Sequence, residues 1–185
     1  MFGKNKIGAL ICDTRAAALI EFAVALPLLV VLIVGIFDFG GAFNLKQELS
    51  NAAREGARFG AAQPTNDLAL NQPPSVDAVR YVVDAYLKTA GINDCGLGTI
   101  PEPSTGGGLT WVYSPSVGCS MTLTIWRGDS VQETIGGSTV YMPATYIQIS
   151  YPYQWHFNSV IQLLVPGANY TFTNITTDAT AVNMD

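Results

Sequence analysis

The apolar positions of this chain are gathered near its beginning. Between Ala16 and Phe37 the only ionisable side chain is Glu21, and from Phe22 to Phe37 there is none. A helix rises about 1.5 Å per residue, so this run matches the ~30 Å hydrocarbon thickness of a bilayer. Core helices of soluble proteins are rarely so uniformly apolar, and the pattern predicts a membrane-spanning helix. Pro27 within it predicts a kink or local unwinding, which membrane helices tolerate better than soluble ones. Beyond Gly40-Gly41 the pattern changes character. Ala42, Leu45, Leu49, Ala52, Gly56 and Phe59 recur at spacings of three and four, with Lys46, Gln47, Glu48, Asn51, Arg54, Glu55 and Arg58 on the other faces. The helix is therefore expected to continue as an amphipathic one to about residue 62, ending before Pro64. Ala52, Gly56 and Gly60 form a stripe of small residues that invites close helix packing.

A second, shorter helix is expected after a linker at 62–74. Ser75 is its predicted N-cap, Asp77 suits the positive end of the dipole, and Val76, Val79, Val83, Tyr86, Leu87 and Ala90 supply an apolar face. Lys88 falls in the last turn and Gly91 is a natural stop. Residues 93–108, rich in Gly, Pro and Ser, read as an exposed loop. The rest of the chain turns to period two. Strands are predicted at 109–113, 119–127, 145–157 and about 170–183. Met121, Leu123 and Ile125 alternate with Ser120, Thr122 and Thr124, and Arg127-Gly128-Asp129 is expected to break that strand. Pro152 marks an edge strand or a bulge. The predicted class is α+β: a long N-terminal helix, one short helix and a small antiparallel sheet.

Charge adds a direction to this outline. The chain of 185 residues carries 9 Lys+Arg against 14 Asp+Glu, a formal net charge of −5, which argues against nucleic acid as a partner. Residues 1–16 hold Lys4, Lys6 and Arg15 against Asp13, whereas everything after them is acidic overall. By the positive-inside rule the basic leader stays cytoplasmic and the bulk of the chain is exported. A cleaved secretory signal would place small residues after the apolar run; here Ala16, Ala17 and Ala18 precede it, and a retained helix is expected. The organisation is then a leader at 1–16, a spanning and amphipathic helix at 17–62, and an exported α+β domain at 63–185.

Candidate chemistry is sparse. Cys12 lies in the leader, leaving Cys95 and Cys119 as an exported pair; one disulfide is expected, with two free thiols as the alternative. Neither cysteine belongs to a Cys-x-x-Cys and the only histidine is His156, so neither a metal site nor a cofactor is expected. No Gly-x-Ser-x-Gly occurs, the glycines 106–108 lack the Lys-Ser/Thr of a phosphate loop, and His156 shows no sequence partner, so no catalytic residue is assigned. Arg127-Gly128-Asp129 resembles an adhesion tripeptide but equally suits a hairpin turn. Asn169 and Asn174 begin glycosylation-like triplets, which carry little weight by themselves.

Three stretches carry a resemblance: Arg-Ala-Ala-Ala-Leu-Ile-Glu-Phe-Ala-Val-Ala-Leu-Pro-Leu-Leu (15–29), Gly-Ile-Phe-Asp-Phe-Gly (35–40) and Asn-Ala-Ala-Arg-Glu-Gly-Ala-Arg (51–58). Together they resemble the N-terminus of the TadE-like family, minor pilins or pseudopilins of the bacterial tight-adherence (Tad/Flp, type IVc) pilus. The similarity is specific over residues 15–62, looser at 146–153 and 180–185, and absent from 71–137. It implies cleavage by a prepilin peptidase between Ala16 and Ala17, with Glu21 fifth after the bond and Phe22 beside it. Ala16 stands where the family usually has Gly.

The same resemblance implies a protein with its helix in the bacterial inner membrane and its C-terminal domain periplasmic or extracellular, or associated with the pilus. Implied partners are other pilin subunits, the prepilin peptidase, the inner-membrane assembly platform and the membrane itself. Glu21, Pro27, Gly35, Asp38, Ala52, Gly56 and Gly60 become the residues expected in helix packing and assembly. The competing class is a single-span, membrane-anchored binding module that never enters a filament. A tethered enzyme is the least supported.

Overall fold

The long helix of the sequence pattern is continuous. In the computed structural model, which describes residues 14–100, 102–158, 162, 167 and 172–184, helix α1 runs over Thr14–Ala61 and passes through Pro27. Proline lacks an N–H, so the carbonyl of Ala23 loses its helical donor there. Helix α2 follows at Pro74–Thr89, then a 3₁₀ turn at Leu97–Thr99. Strands β1 (Ser104–Thr105), β2 (Thr110–Tyr113), β3 (Thr122–Ile135), β4 (Ser138–Gln154) and β5 (Phe172–Val182) form one antiparallel sheet in the order β1-β2-β3-β4-β5. The leader residues 1–13, including Cys12, lie outside the described residues, as do Asn169 and the first two positions of the expected last strand.

The chain divides into two units. One joins the N-terminal part of α1, through Gly41, with residues 155–171; the other joins Ala42–Gln154 with residues 172–185. The second unit is a two-layer α+β domain. Its core takes Leu49, Ala52, Ala53 and Ala57 from α1, Val76, Val79, Val83 and Leu87 from α2, and Trp111, Tyr113, Met121, Leu123, Ile125, Ile147, Ile149 and Tyr151 from the sheet side. Each fully buried Val, Leu or Ile contributes about 1.5–3 kcal/mol of transfer free energy. The alternation read from the sequence is real here: Met121, Leu123 and Ile125 are buried, and Thr122 and Thr124 are half-buried on the opposite face.

Several expectations need correcting. Ser75 is not the N-cap of α2; Pro73 takes that position in an extended conformation, and Pro74 is the first helical residue, where proline's fixed φ suits a helix start. Ser75 lies in the first turn instead, and its N–H and Oγ–H both donate to the Asp67 carboxylate, each at 2.8 Å. Residues 93–108 are not simply exposed loop, since Cys95 and Leu97 are fully buried and β1 lies within them. Nor does Arg127-Gly128-Asp129 end its strand. A bulge between Trp126 and Asp129 shifts the register, and β3 continues to Ile135. Gly136 (φ 61°) and Gly137 (φ 86°) then form a two-residue hairpin, whose doubly positive φ only glycine adopts without strain.

Pro152 sits on β4, an interior strand rather than an edge. Pairing to β3 stops at Ser150 and pairing to β5 continues to Gln154, so Pro152 lies where the strand is paired on one side only. The strand itself ends at Gln154, and residues 155–157 belong to the other unit. At the far end of the domain the Met184 N–H donates to the Ala61 carbonyl at 3.0 Å, satisfying one of the orphan acceptors of the α1 C-terminus.

Candidate functional site

The N-terminal part of α1 presents large apolar side chains outward. Phe22 is 62% exposed, Leu28 75% and Phe37 77%, and the most apolar 18-residue stretch of the helix is buried nowhere. The helix is long and apolar enough to cross a bilayer, and its exposure matches that use rather than a soluble core. Glu21 and Pro27 are exposed on this stretch, and Gly35 is half-buried. The Ala16–Ala17 peptide lies in the opening turns of the helix, where backbone N–H groups still lack intrahelical acceptors.

Asp38 follows this stretch directly and is of a different kind: it is only 4% exposed. Its Oδ2 accepts the backbone N–H of Phe157 at 2.5 Å, and its Oδ1 lies 2.9 Å from His156 Nδ1. Around this contact Phe39 meets Trp155 edge-on at 5.3 Å between ring centroids, and Trp155 meets Phe157 at 5.2 Å. His156 thus has a partner that the sequence did not show. No local signal links two residues 118 positions apart, though an acid closing an apolar run is itself a hint.

Farther along, the small-residue stripe packs within the chain's own domain. A Cβ on Gly56 would come within 2.8 Å of Val83 Cγ2, and one on Gly60 within 2.8 Å of Thr145 Cγ2. Ala52, fully buried, completes the stripe. Cys95 and Cys119 are joined in a disulfide with Cα atoms 5.0 Å apart, tying the segment after α2 to the approach of β3. Arg127 is 3% exposed, and its guanidinium donates to the carbonyls of Gln63 (2.8 Å) and Pro64 (3.1 Å). It anchors the chain leaving α1, and the adhesion tripeptide has no accessible arginine.

Arg80 is another charged group in the domain interior. It is buried, donates from Nε to Asp77 (2.7 Å) and from Nη1 to the Leu97 carbonyl (2.6 Å), and stacks 4.0 Å over the Tyr81 ring. Burial opposes its charge, but the hydrogen bond and charge of Asp77 outweigh that and hold its pKa above the ordinary value. Tyr113 nearby is pushed up to about 12, by burial first and then by the negative charge of Asp77. These groups belong to the packing of α2, the 3₁₀ turn and the sheet. Among the described residues no group of three or more His, Cys, Asp or Glu is placed to hold a metal ion.

Residues 16–58 match the family described as TadE-like protein. The match covers the apolar stretch, Asp38 and most of the amphipathic half, and leaves the sheet unmatched. No curated protein and no solved structure matches the chain.

Proposed function

We propose that this TadE-like chain is a minor pilin or pseudopilin that supports initiation or the tip of Tad-type pili, and through them surface adherence. The observation that carries the proposal is the coincidence of the family match over 16–58 with a helix whose apolar stretch has no buried residue. Such a helix requires either lipid or other apolar helices around it, and a pilin occupies the two in turn. The chain enters the inner membrane with its leader in the cytoplasm, the prepilin peptidase cuts between Ala16 and Ala17, and the domain remains on the outer side. Other pilin subunits and the assembly platform are the partners. The role is structural rather than catalytic.

Glu21 sets the stagger between neighbouring helices. A carboxylate inside an apolar helix costs about 2.5–3.5 kcal/mol at mid-membrane on insertion scales, and such a residue generally has a functional partner. After cleavage the new α-amine of Ala17, its own or a neighbour's, supplies one, and a helix N-terminus also favours negative charge.

Complementation of a deletion strain with Glu21→Gln tests this assignment. Normal membrane levels with loss of surface pili are expected, whereas full piliation would remove the charge from assembly. Co-expression with the cognate peptidase should shorten the protein by about sixteen residues, and Ala16→Gly should accelerate the cut. A leader equally resistant in both forms would favour a plain membrane anchor.

A further inference from the structure

We propose that the Phe39–Trp155–Phe157 cluster is a second membrane contact, seated at the lipid headgroup level and held to the spanning helix by Asp38. The inference rests on α1 being a spanning helix. From Ala17 to Phe37 a helix covers roughly 30 Å, so Asp38 and Phe39 fall at the boundary between hydrocarbon and headgroups. Trp and other aromatic rings favour that boundary, where an apolar body and a polar edge are both accommodated. Trp155 and Phe157 arrive there from a distant part of the chain, because the segment after β4 clusters with the apolar helix and not with the sheet.

Asp38 explains how the arrangement is held. A carboxylate at such a depth needs donors, and it receives the Phe157 N–H and His156 Nδ1 from the segment that carries the two rings. Satisfying the acid and placing the aromatics are therefore one event. The cluster has the amphipathic character of an interfacial anchor: Phe39 remains 65% exposed, while the His156 side chain between the two rings is 81% exposed and able to face water. The sequence beyond, with Val160, Ile161, Leu163, Leu164 and Val165, is apolar as well. Lipid is the occupant these features select.

The test uses the full chain in phosphatidylcholine vesicles containing lipids brominated at shallow or deep acyl positions, which quench nearby tryptophans. The difference between wild type and Trp155→Phe isolates the signal of Trp155 from Trp111 and Trp126. Expected is a Trp155 component quenched more by shallow than by deep bromines, and lost in Asp38→Ala although the protein stays in the membrane after alkaline extraction. Quenching of Trp155 only by aqueous acrylamide would overturn the proposal, and so would shielding from both quenchers, which would mean a protein neighbour. Unchanged lipid quenching in Asp38→Ala would overturn the part given to Asp38. Release of the wild type by alkaline extraction would instead overturn the spanning helix, and this proposal with it.

Discussion

The two halves of α1 are one uninterrupted helix with two different exteriors. Up to Gly41 its outward residues are Leu, Ile, Val and Phe, all exposed; from Ala42 its buried residues are Leu49, Ala52, Ala53, Gly56, Ala57, Gly60 and Ala61. Size follows the surroundings. Lipid chains conform to bulky side chains, whereas α2 and the sheet have fixed surfaces that only Ala and Gly approach closely. Apart from the donor lost at Pro27, both halves share one helical backbone, so the difference lies in what the side chains meet.

Matched truncations should break the comparison most visibly. Leu49→Ala leaves a cavity in a packed core and should cost about 2–5 kcal/mol of domain stability. Leu29→Ala, on the exposed half, should cost the domain almost nothing. Urea unfolding of both variants in detergent micelles, followed by near-UV circular dichroism, measures the pair; equal losses would mean that the halves are not energetically distinct.

The Cys95–Cys119 bridge should come next. It closes a loop across 24 positions of sequence, and removing it should release roughly 3 kcal/mol of chain-entropy stabilisation in that description of disulfides. The double Cys→Ser variant, unfolded by the same assay, should lose that amount in the domain while its membrane extraction is unaltered.

A smaller effect belongs to pH. The folded-state pKa of Tyr113 is pushed up to about 12, above its ordinary value of 10.0, so its neutral form favours folding. That stability is fully present below pH 10 and is lost as pH rises from about 10 through 12, at most about 2 kcal/mol. Tyr113→Phe should flatten the alkaline limb of domain stability, and ultraviolet titration of tyrosine should show one late group disappear.

Much of this was legible from side-chain pattern alone. The apolar run, the amphipathic continuation of α1, the face of α2 and the Met121–Ile125 alternation are local signals of period 3.6 or 2, and each reappears in the fold. What escaped depends on partners far away in sequence. Residues 130–144 look polar because that ribbon extends past the core and buries almost nothing, so no hydrophobic alternation marks it. Arg127 reads as a turn residue until its carbonyl partners at Gln63 and Pro64 are known. His156 reads as isolated until Asp38 is brought to it. The small stripe was visible too, but whether it meets the chain's own domain or another helix is a tertiary fact. Gly56 and Gly60 meet Val83, Val79 and Thr145.

The bond from the Met184 N–H to the Ala61 carbonyl has a consequence for the timing of biogenesis. All five strands pair with their neighbours in chain order, so each pairing can form as soon as its second strand has been made. β5 is the exception in its effect. Until it arrives, β4 from Ala144 to Gln154 offers an open row of backbone groups, and the α1 terminus lacks this donor. A chain that has not yet added β5 therefore keeps an open sheet edge beside an unfinished helix end, a state prone to wrong pairing. The last strand thus closes the sheet edge and supplies a donor to the helix end in a single step.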